Sequence, residues 1–226
     1  MIMIALALTS VAFGQTPQPA PPVTPNGIRD YLLAHSPWVK PDKTVDTIKI
    51  GDPDKPVHKA GVCWYPSIEN IRAAHDAGCD LLVCHEPTFW EHQAAEPTWR
   101  NKAPGAAKRE FLEQTGMTIL RAHDTWDQWP EIGIRDAWAR FLGLDKRVYA
   151  STADNYYGVY EVPKQTLREF ARYVAGKVKP IGEDSVRVMG DPERAVSRPA
   201  VGVGCAVPDT ECVEAGADVL IVCYDG

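Results

Sequence analysis

The stretch from residue 77 to residue 87 reads Ala-Gly-Cys-Asp-Leu-Leu-Val-Cys-His-Glu-Pro. Its second residue, Gly78, follows a helical pattern and is typical of the left-handed position at which a helix ends. Residues 81–84 form a short continuous apolar run, which predicts a strand buried on both faces. A helix, a glycine and a buried strand in this order predict an α/β protein in which His85 and Glu86 directly follow the strand.

The flanking sequence continues the alternation of strands and helices. Upstream, residues 57–64 read as a strand, and Ser67 is placed to cap a helix with Ile68, Ile71 and Ala74 on one face. Downstream, the patterns predict helices at 106–114 and 131–142 and a helix after the Thr166–Glu169 capping box, and strands at 117–122, 156–162, 186–189 and 199–203.

One segment of the chain echoes another. Residues 77–83 read Ala-Gly-Cys-Asp-Leu-Leu-Val, and residues 215–221 read Ala-Gly-Ala-Asp-Val-Leu-Ile. Upstream, residues 61–63 are matched less closely by residues 203–205, with a shorter stretch between the two matches in the second copy. We therefore expect a mixed sheet with flanking helices, built from two pseudo-symmetric α/β units whose strand ends can face a shared cleft.

The N-terminal residues differ in composition from the rest of the chain. Residues 1–13 are apolar and are followed by Gly14, a pattern typical of a secretory signal, so residues 1–14 are predicted to be a signal peptide. Residues 15–27 are rich in proline and predict a linker, which leaves residues 28–226 as the folded domain. The protein is then expected to be periplasmic or extracellular, or cytoplasmic if the leader does not function.

Composition narrows the classes of partner. Of the 226 residues, 45% are hydrophobic and 24% are charged, as in an ordinary soluble domain, and the formal net charge is −6. This charge argues against binding of nucleic acid, and the leader is too short for stable insertion in a membrane. A cationic ligand such as a metal ion would be attracted.

The six cysteines do not predict a disulfide framework. Four of them lie in or beside apolar strand patterns, where buried thiols pack well: Cys79, Cys84, Cys205 and Cys223. Neither Cys63 nor Cys212 has a partner that the sequence identifies. No CxxC pair occurs, which argues against a zinc site made of cysteines alone.

Two groups of polar side chains follow predicted strands. His85 and Glu86 end one strand, and His123 and Asp127 come after the next. Ligands of open α/β sheets bind at the carboxyl ends of strands, and imidazole with carboxylate suits zinc, iron, manganese or nickel. The alternative is equally consistent with the residues: His85 and Glu86 would be loop residues bonded to backbone, and Asp127 would cap the helix after Pro130.

The remaining histidines carry weaker predictions. His92 lies in a loop rich in tryptophan and is best interpreted as solvated rather than as a contact to a metal ligand or to substrate. His75 is predicted to be a surface or packing residue on a helix. Neither a Gly-Lys-Ser/Thr phosphate loop nor a Gly-x-Ser-x-Gly elbow occurs in the sequence.

From about Asp46 onward, the chain resembles the dinuclear-metal-centre hexamer family, also known as NGG-interacting factor three-like or GTP cyclohydrolase I type II-like. In that family one motif ends in a His-His pair, and a second places Asp four residues after His. Here His85, His123 and Asp127 match those positions, and Glu86 replaces the second His, as in a His-Glu-Pro subgroup. Glutamate can still ligate a metal ion.

The resemblance implies a ligand set of His85, Glu86, His123 and Asp127 and a homohexameric ring. Family members complete the site with a His and a Glu beyond the strand that here ends at Val222, so a C-terminal part of the domain is expected to be missing. The implied activity is metal-dependent hydrolysis of a small, nucleotide-like substrate by metal-activated water. The alternative is a ring-forming binding protein without turnover, in which the metal is structural or regulatory.

Overall fold

A computed structural model of the chain describes residues 21–89, 105–150, 157–204 and 207–222, in which helices and strands alternate. The α-helices are α1 Pro25–Ala34, α2 Ile68–Asp76, α3 Gly105–Thr115, α4 Asp124–Asp127, α5 Ile134–Leu142, α6 Leu167–Val178 and α7 Asp209–Glu214. The strands are β1 Ile48–Ile50, β2 Ala60–Cys63, β3 Leu81–Cys84, β4 Thr118–Arg121, β5 Arg147–Ala150, β6 Tyr157–Tyr160, β7 Gln165–Thr166, β8 Ala195–Val196, β9 Pro199–Gly202 and β10 Val219–Ile221. A short 3-10 helix, Lys179–Ile181, follows α6.

The predicted α/β class is confirmed, with two four-stranded mixed sheets where one was expected. The first sheet has the order β1-β4-β3-β2, in which β2, β3 and β4 are parallel and β1 is antiparallel to β4. The second has the order β10-β9-β6-β5, in which only the β10–β9 pair is parallel. Strands β7 and β8 form a separate two-stranded ribbon; β7 comes before α6 in the sequence and β8 comes after it.

The internal echo corresponds to two copies of one structural unit, β2-α2-β3 and β9-α7-β10. Each unit pairs its two strands in parallel, with one helix between them. Gly78 and Gly216 end the two helices with φ angles of 77° and 88°. This left-handed conformation favours glycine, which explains why both copies retain it.

An aspartate locks the strand pairing at the same place in each copy. Asp80 accepts the backbone N–H groups of His58 and Lys59. Asp218 accepts those of Ser197 and Arg198 in the second copy. The side chain of each aspartate therefore substitutes for a ladder acceptor just before the paired strands begin.

The register of the ladders corrects the upstream half of the echo. Gly61 pairs with Leu82, and Ala200 pairs with Leu220, which stands where Leu82 stands in the first copy. The counterpart of residues 61–63 is therefore 200–202, and the match with 203–205 was wrong. The second unit is thus only one residue shorter than the first. The register of strand pairing gives this correspondence, which the short sequence match missed.

The differences from the sequence predictions include the start of the folded domain and one predicted strand. Helix α1 begins at Pro25, with the Thr24 side chain accepting the Gly27 N–H, so folded structure starts before residue 28 and the linker 15–27 ends in a helix. Residues 186–189, predicted as a strand, join no ladder. Val186 instead packs against the core beside α6, which buries its apolar surface without strand pairing. Residues 1–20, including the predicted signal peptide, lie outside the described part.

The first sheet is supported by a core cluster between its inner face and helices α2 and α3. Its buried members include Ile71 from α2, Leu112 from α3, and Leu82, Cys84 and Ile119 from the central strands. A second cluster joins α5 and α6 to the second sheet. The central strands β3 and β4 are therefore packed against the core, and their C-terminal ends precede His85 and His123.

Candidate metal centre

His85 and His123 lie just after the C-terminal ends of the neighbouring parallel strands β3 and β4. Cys84 at the end of β3 is paired with Arg121 at the end of β4, and the Ala122 N–H continues the ladder by donating to the Cys84 carbonyl at 2.9 Å. His85 and His123 follow these pairs, and their ring centroids lie 4.3 Å apart. The parallel arrangement thus brings residues far apart in sequence to one edge of the sheet.

The backbone at His85 is fixed by Trp64, which follows edge strand β2. The Trp64 carbonyl accepts the N–H groups of both His85 and Glu86, at 3.1 and 2.9 Å. Its indole stacks on the His85 ring at a centroid distance of 3.9 Å and an angle of 9°. Because one carbonyl accepts both N–H groups, the chain turns here, and the side chains of residues 85 and 86 can lie in the same region.

Helix α4 is a single turn that carries Asp127 back toward His85. His123 is its N-cap residue, and the His123 carbonyl accepts the Asp127 N–H at 2.9 Å. Asp127 Oδ1 lies 2.9 Å from His85 Nε2, and Oδ2 lies 3.5 Å from His123 Nδ1. The buried carboxylate therefore bridges the two imidazoles.

Asp46 organises this turn, although no sequence pattern pointed to it. Its buried carboxylate accepts the backbone N–H groups of His123, Asp124 and Thr125 and the Thr125 hydroxyl, at distances of 2.6 to 3.0 Å. An acidic residue that caps a helix from 77 positions away leaves no local pattern in the sequence. Its signal exists only in the tertiary structure.

Asp124 holds the His123 ring from one side. Its Oδ1 lies 2.8 Å from His123 Nδ1, and its Oδ2 accepts the Thr44 hydroxyl and the Val45 N–H. Burial disfavours the carboxylate, but these hydrogen bonds outweigh it and lower the pKa of Asp124 to about 2. Asp124 therefore stays charged and favours a proton on Nδ1 of His123, which places the lone pair of that ring on Nε2.

The same neighbours act on the proton affinity of His123. Burial lowers the pKa of the imidazole, but the hydrogen bond with Asp124 and the charge of Asp127 outweigh burial and raise the pKa above its ordinary value. The surroundings of this ring thus favour positive charge, as expected of a site that accepts a cation.

Glu86 lies beside the ring nitrogen of His85 that Asp127 does not contact. Its Oε1 is 3.3 Å from His85 Nδ1, and its Oε2 is 3.9 Å from a guanidinium nitrogen of Arg121. The fully buried Arg121 also donates its Nε–H to the His85 carbonyl at 2.7 Å. Both ring nitrogens of His85 therefore face carboxylates, and an arginine fixes the backbone behind them.

Three of the four predicted ligands converge. His85, His123 and Asp127 each offer one ligand atom, and these atoms all lie within 4.8 Å of one another. A divalent ion about 2.0–2.2 Å from each donor needs separations of this order. Two imidazoles and one carboxylate match the ligand number of catalytic zinc sites, which keep a further position for water or substrate. Glu86 is not a member of this group.

The weaker candidates do not join the site where the structure describes them. His75 is exposed on α2, as predicted, and interacts with its neighbour Asp76. Both His92 and Cys223 lie outside the described residues. Among the described helices, none is long and apolar enough to cross a membrane.

The chain is similar to a GTP cyclohydrolase 1 type 2 homolog of Deinococcus radiodurans, with 27% identity over 104 residues. The match covers 46% of this chain and 37% of that relative, so the matched stretch spans little more than a third of the relative's length.

Solved structures share the fold. A hypothetical protein of Staphylococcus aureus superposes with a TM-score of 0.72 at 18% identity, covering 89% of this chain and 79% of that one. A Bacillus cereus protein related to NIF3 gives a TM-score of 0.69 at 14% identity, covering 90% of this chain and 83% of that one. The model of the Duf34/NIF3 (NGG1p interacting factor 3) family matches residues 43–223, which include both strand-end motifs. The chain therefore belongs to the Duf34/NIF3 family.

Proposed function

We propose that this protein binds a divalent metal ion and hydrolyses a small, nucleotide-like substrate with it. The observation that carries the proposal is the convergence of His85, His123 and Asp127 at the ends of two parallel strands. Their mixture of imidazole and carboxylate suits zinc, iron, manganese or nickel. When bound, such an ion polarises a substrate oxygen and lowers the pKa of a water molecule toward neutrality.

The surrounding residues would prepare the ligands. Asp124 hydrogen-bonds His123 at Nδ1, so Nε2 would be the ligand atom of that ring. Glu86 is the fourth residue of the proposed site. From its position at His85 Nδ1, it would increase the basicity of His85 Nε2, the atom that lies beside Asp127.

Two exposed indoles support a planar substrate. Trp64 stacks on His85 and is 55% exposed, and Trp126 lies inside the α4 turn and is 36% exposed. Aromatic rings that remain open to solvent can stack on a planar group such as a nucleobase. These side chains border the proposed ligands, so a base stacked here would lie near the metal.

The hydrolase proposal is tested with metal-loaded protein and a panel of nucleotides, phosphoesters and amides. We expect release of product that stops when a chelator removes the metal and resumes when the metal is restored. The Trp64→Ala variant should raise KM for a nucleotide substrate. A metal-loaded protein that turns over no member of the panel would contradict the hydrolase.

The second candidate is a ring-forming binding protein without turnover, in which the metal has a structural or regulatory role. It is favoured by the exposed apolar surface of edge strand β2, where Val62 is 82% exposed beside Trp64. Such a surface suits burial between copies of the chain in the proposed homohexamer. Light scattering that gives a hexamer, for a metal-bound protein inert toward the whole panel, would favour this function over the hydrolase.

Export is a separate proposal, based on the apolar residues 1–13 and the small Gly14. N-terminal sequencing of the protein recovered from fractionated cells tests it. A mature chain that begins at residue 15 outside the cytoplasm supports export, and an uncleaved cytoplasmic chain contradicts it.

A further inference from the structure

Two cysteines occupy directly paired positions beneath the candidate metal centre. Cys63 ends β2 and Cys84 ends β3, and the two residues are partners in the parallel ladder. Residues paired in this way project their side chains from the same face of a sheet. Both side chains indeed pack in the core cluster on the inner face of the first sheet.

Their separation suits a covalent bond. Neighbouring strands lie about 4.7–4.9 Å apart, within the range of about 4.4–6.8 Å between Cα atoms that disulfides span. Both residues are free thiols in the structure. The sequence alone identified no partner for Cys63, because 21 residues separate it from Cys84 and only the strand register brings them together.

The other described cysteines lack this arrangement. Cys79 is buried and lies before β3 begins, outside the β2–β3 ladder. Cys212 belongs to α7 and packs in a different cluster. The pairing is therefore specific to Cys63 and Cys84 among the cysteines in the described ranges.

Each of the two cysteines immediately precedes a residue of the candidate site. Cys84 precedes His85, and Cys63 precedes Trp64, whose carbonyl and ring hold His85 in place. A bond between the two sulfurs would fasten edge strand β2 to β3 at the point where β2 supports the site. We propose that Cys63 and Cys84 form a reversible disulfide that anchors Trp64 against His85.

A low-molecular-weight disulfide, such as oxidised glutathione, is the oxidant in this step. The Cys63 sulfur, which is half-buried on an edge strand, attacks it, forms a mixed disulfide and releases one glutathione thiol. The buried Cys84 sulfur then attacks the Cys63 sulfur, closes the protein disulfide and releases the second thiol. The two cysteines lose two electrons and two protons, and the two glutathione molecules gain them.

The test uses the full chain, equilibrated with oxidised or with reduced glutathione. Each sample is denatured, alkylated and digested, and the peptides are analysed by mass spectrometry. We expect a peptide pair linked through Cys63 and Cys84 after oxidation, which separates on reduction. We also expect the urea midpoint of unfolding to rise on oxidation, because the bond restricts the unfolded chain.

Matched variants distinguish this bond from other oxidation. The Cys79→Ser variant should retain both the linked peptides and the rise in urea midpoint, whereas Cys63→Ser should lose both. Alkylation of Cys63 and Cys84 in the oxidised sample, glutathione adducts in place of the link, or an equal rise of the midpoint in Cys63→Ser would overturn the proposal.

Discussion

His85 Nε2 lies 2.9 Å from Asp127 Oδ1, although 42 residues separate the two side chains in sequence. The contact exists because β3 and β4 are adjacent and parallel, and because the single turn α4 reverses the chain after His123. A carboxylate and an imidazole this close can share one coordination sphere. The candidate site is therefore formed by the C-terminal ends of β3 and β4 and by the α4 turn, which lies between β4 and α5.

Asp46 is predicted to be the main support of that turn. In Asp46→Ala, three backbone N–H groups and the Thr125 hydroxyl lose their acceptor, which should lower the free energy of unfolding by about 3 kcal/mol. Urea unfolding measures the change. Asp52→Ala is the control, because Asp52 is exposed and its side chain accepts only the Asp54 N–H among the described contacts. Equal losses in the two variants would contradict the role of Asp46.

Arg121 is expected to be essential for stability because it is fully buried and pairs with the half-buried Glu86 carboxylate. Arg121→Met leaves the Glu86 carboxylate without its cationic partner and the His85 carbonyl without its donor, and should lower the free energy of unfolding by about 3–5 kcal/mol. Adding Glu86→Gln removes the uncompensated charge. The double variant should therefore lose less free energy of unfolding than the sum of the losses in the two single variants. Strict additivity in urea unfolding would show that the two side chains do not interact.

Asp136 is predicted to make stability depend on pH in the acid range. Burial would raise its pKa, but hydrogen bonds from Arg135 and the Glu131 N–H, with the charge of Arg147, lower the pKa below its ordinary value of 3.8. A lowered pKa in the folded state means that this stabilisation is complete above about pH 4 and is lost as the pH falls through the folded pKa.

The Asp136→Asn variant tests this linkage. At pH 7 it should be less stable than the original protein by about 1–3 kcal/mol, because charge-assisted hydrogen bonds are weakened. The difference between the two proteins should shrink as the pH is lowered below 4. Urea midpoints at several pH values measure it, and a difference independent of pH would exclude a lowered pKa.

Gly78 is predicted to be required for its backbone conformation alone. Its φ angle is 77°, and a Cβ atom would meet nothing within 4 Å, so Gly78→Ala should destabilise by about 1 kcal/mol through the left-handed backbone. Gly176→Ala is the matched control, because that glycine lies inside α6 and a Cβ is equally unobstructed there. It should stabilise by about 0.5–1 kcal/mol. Effects of the same sign in thermal unfolding would be inconsistent with this explanation.

Much of the fold could be predicted because the elements carry local signals. The apolar run at 81–84, the glycine at 78 and the Thr166–Glu169 capping box act within a few residues, and the structure confirms each of them. Strand β5 was not predicted, because its three exposed residues show no apolar alternation. The number of sheets depends on tertiary pairing, which short patterns do not encode.

The sequence predicted those residues of the candidate site that directly follow strands. The positions of His85 and His123 follow from the rule that ligands gather at the carboxyl ends of parallel strands. Both Asp46 and Asp124 act through contacts with residues distant in sequence or through ring geometry, so they were missed. The orientation of Glu86 toward Arg121 is likewise set by packing, because Arg121 lies on the adjacent strand.

Metal content is the most direct test of the candidate centre. The original protein, His85→Ala and the control His58→Ala should be purified in parallel and analysed for bound metal by mass spectrometry. His58 is a suitable control because its side chain is exposed and pairs with Asp80 away from the site. We predict that His85→Ala loses its bound metal while His58→Ala keeps the original stoichiometry. Unchanged stoichiometry in His85→Ala would contradict the assignment.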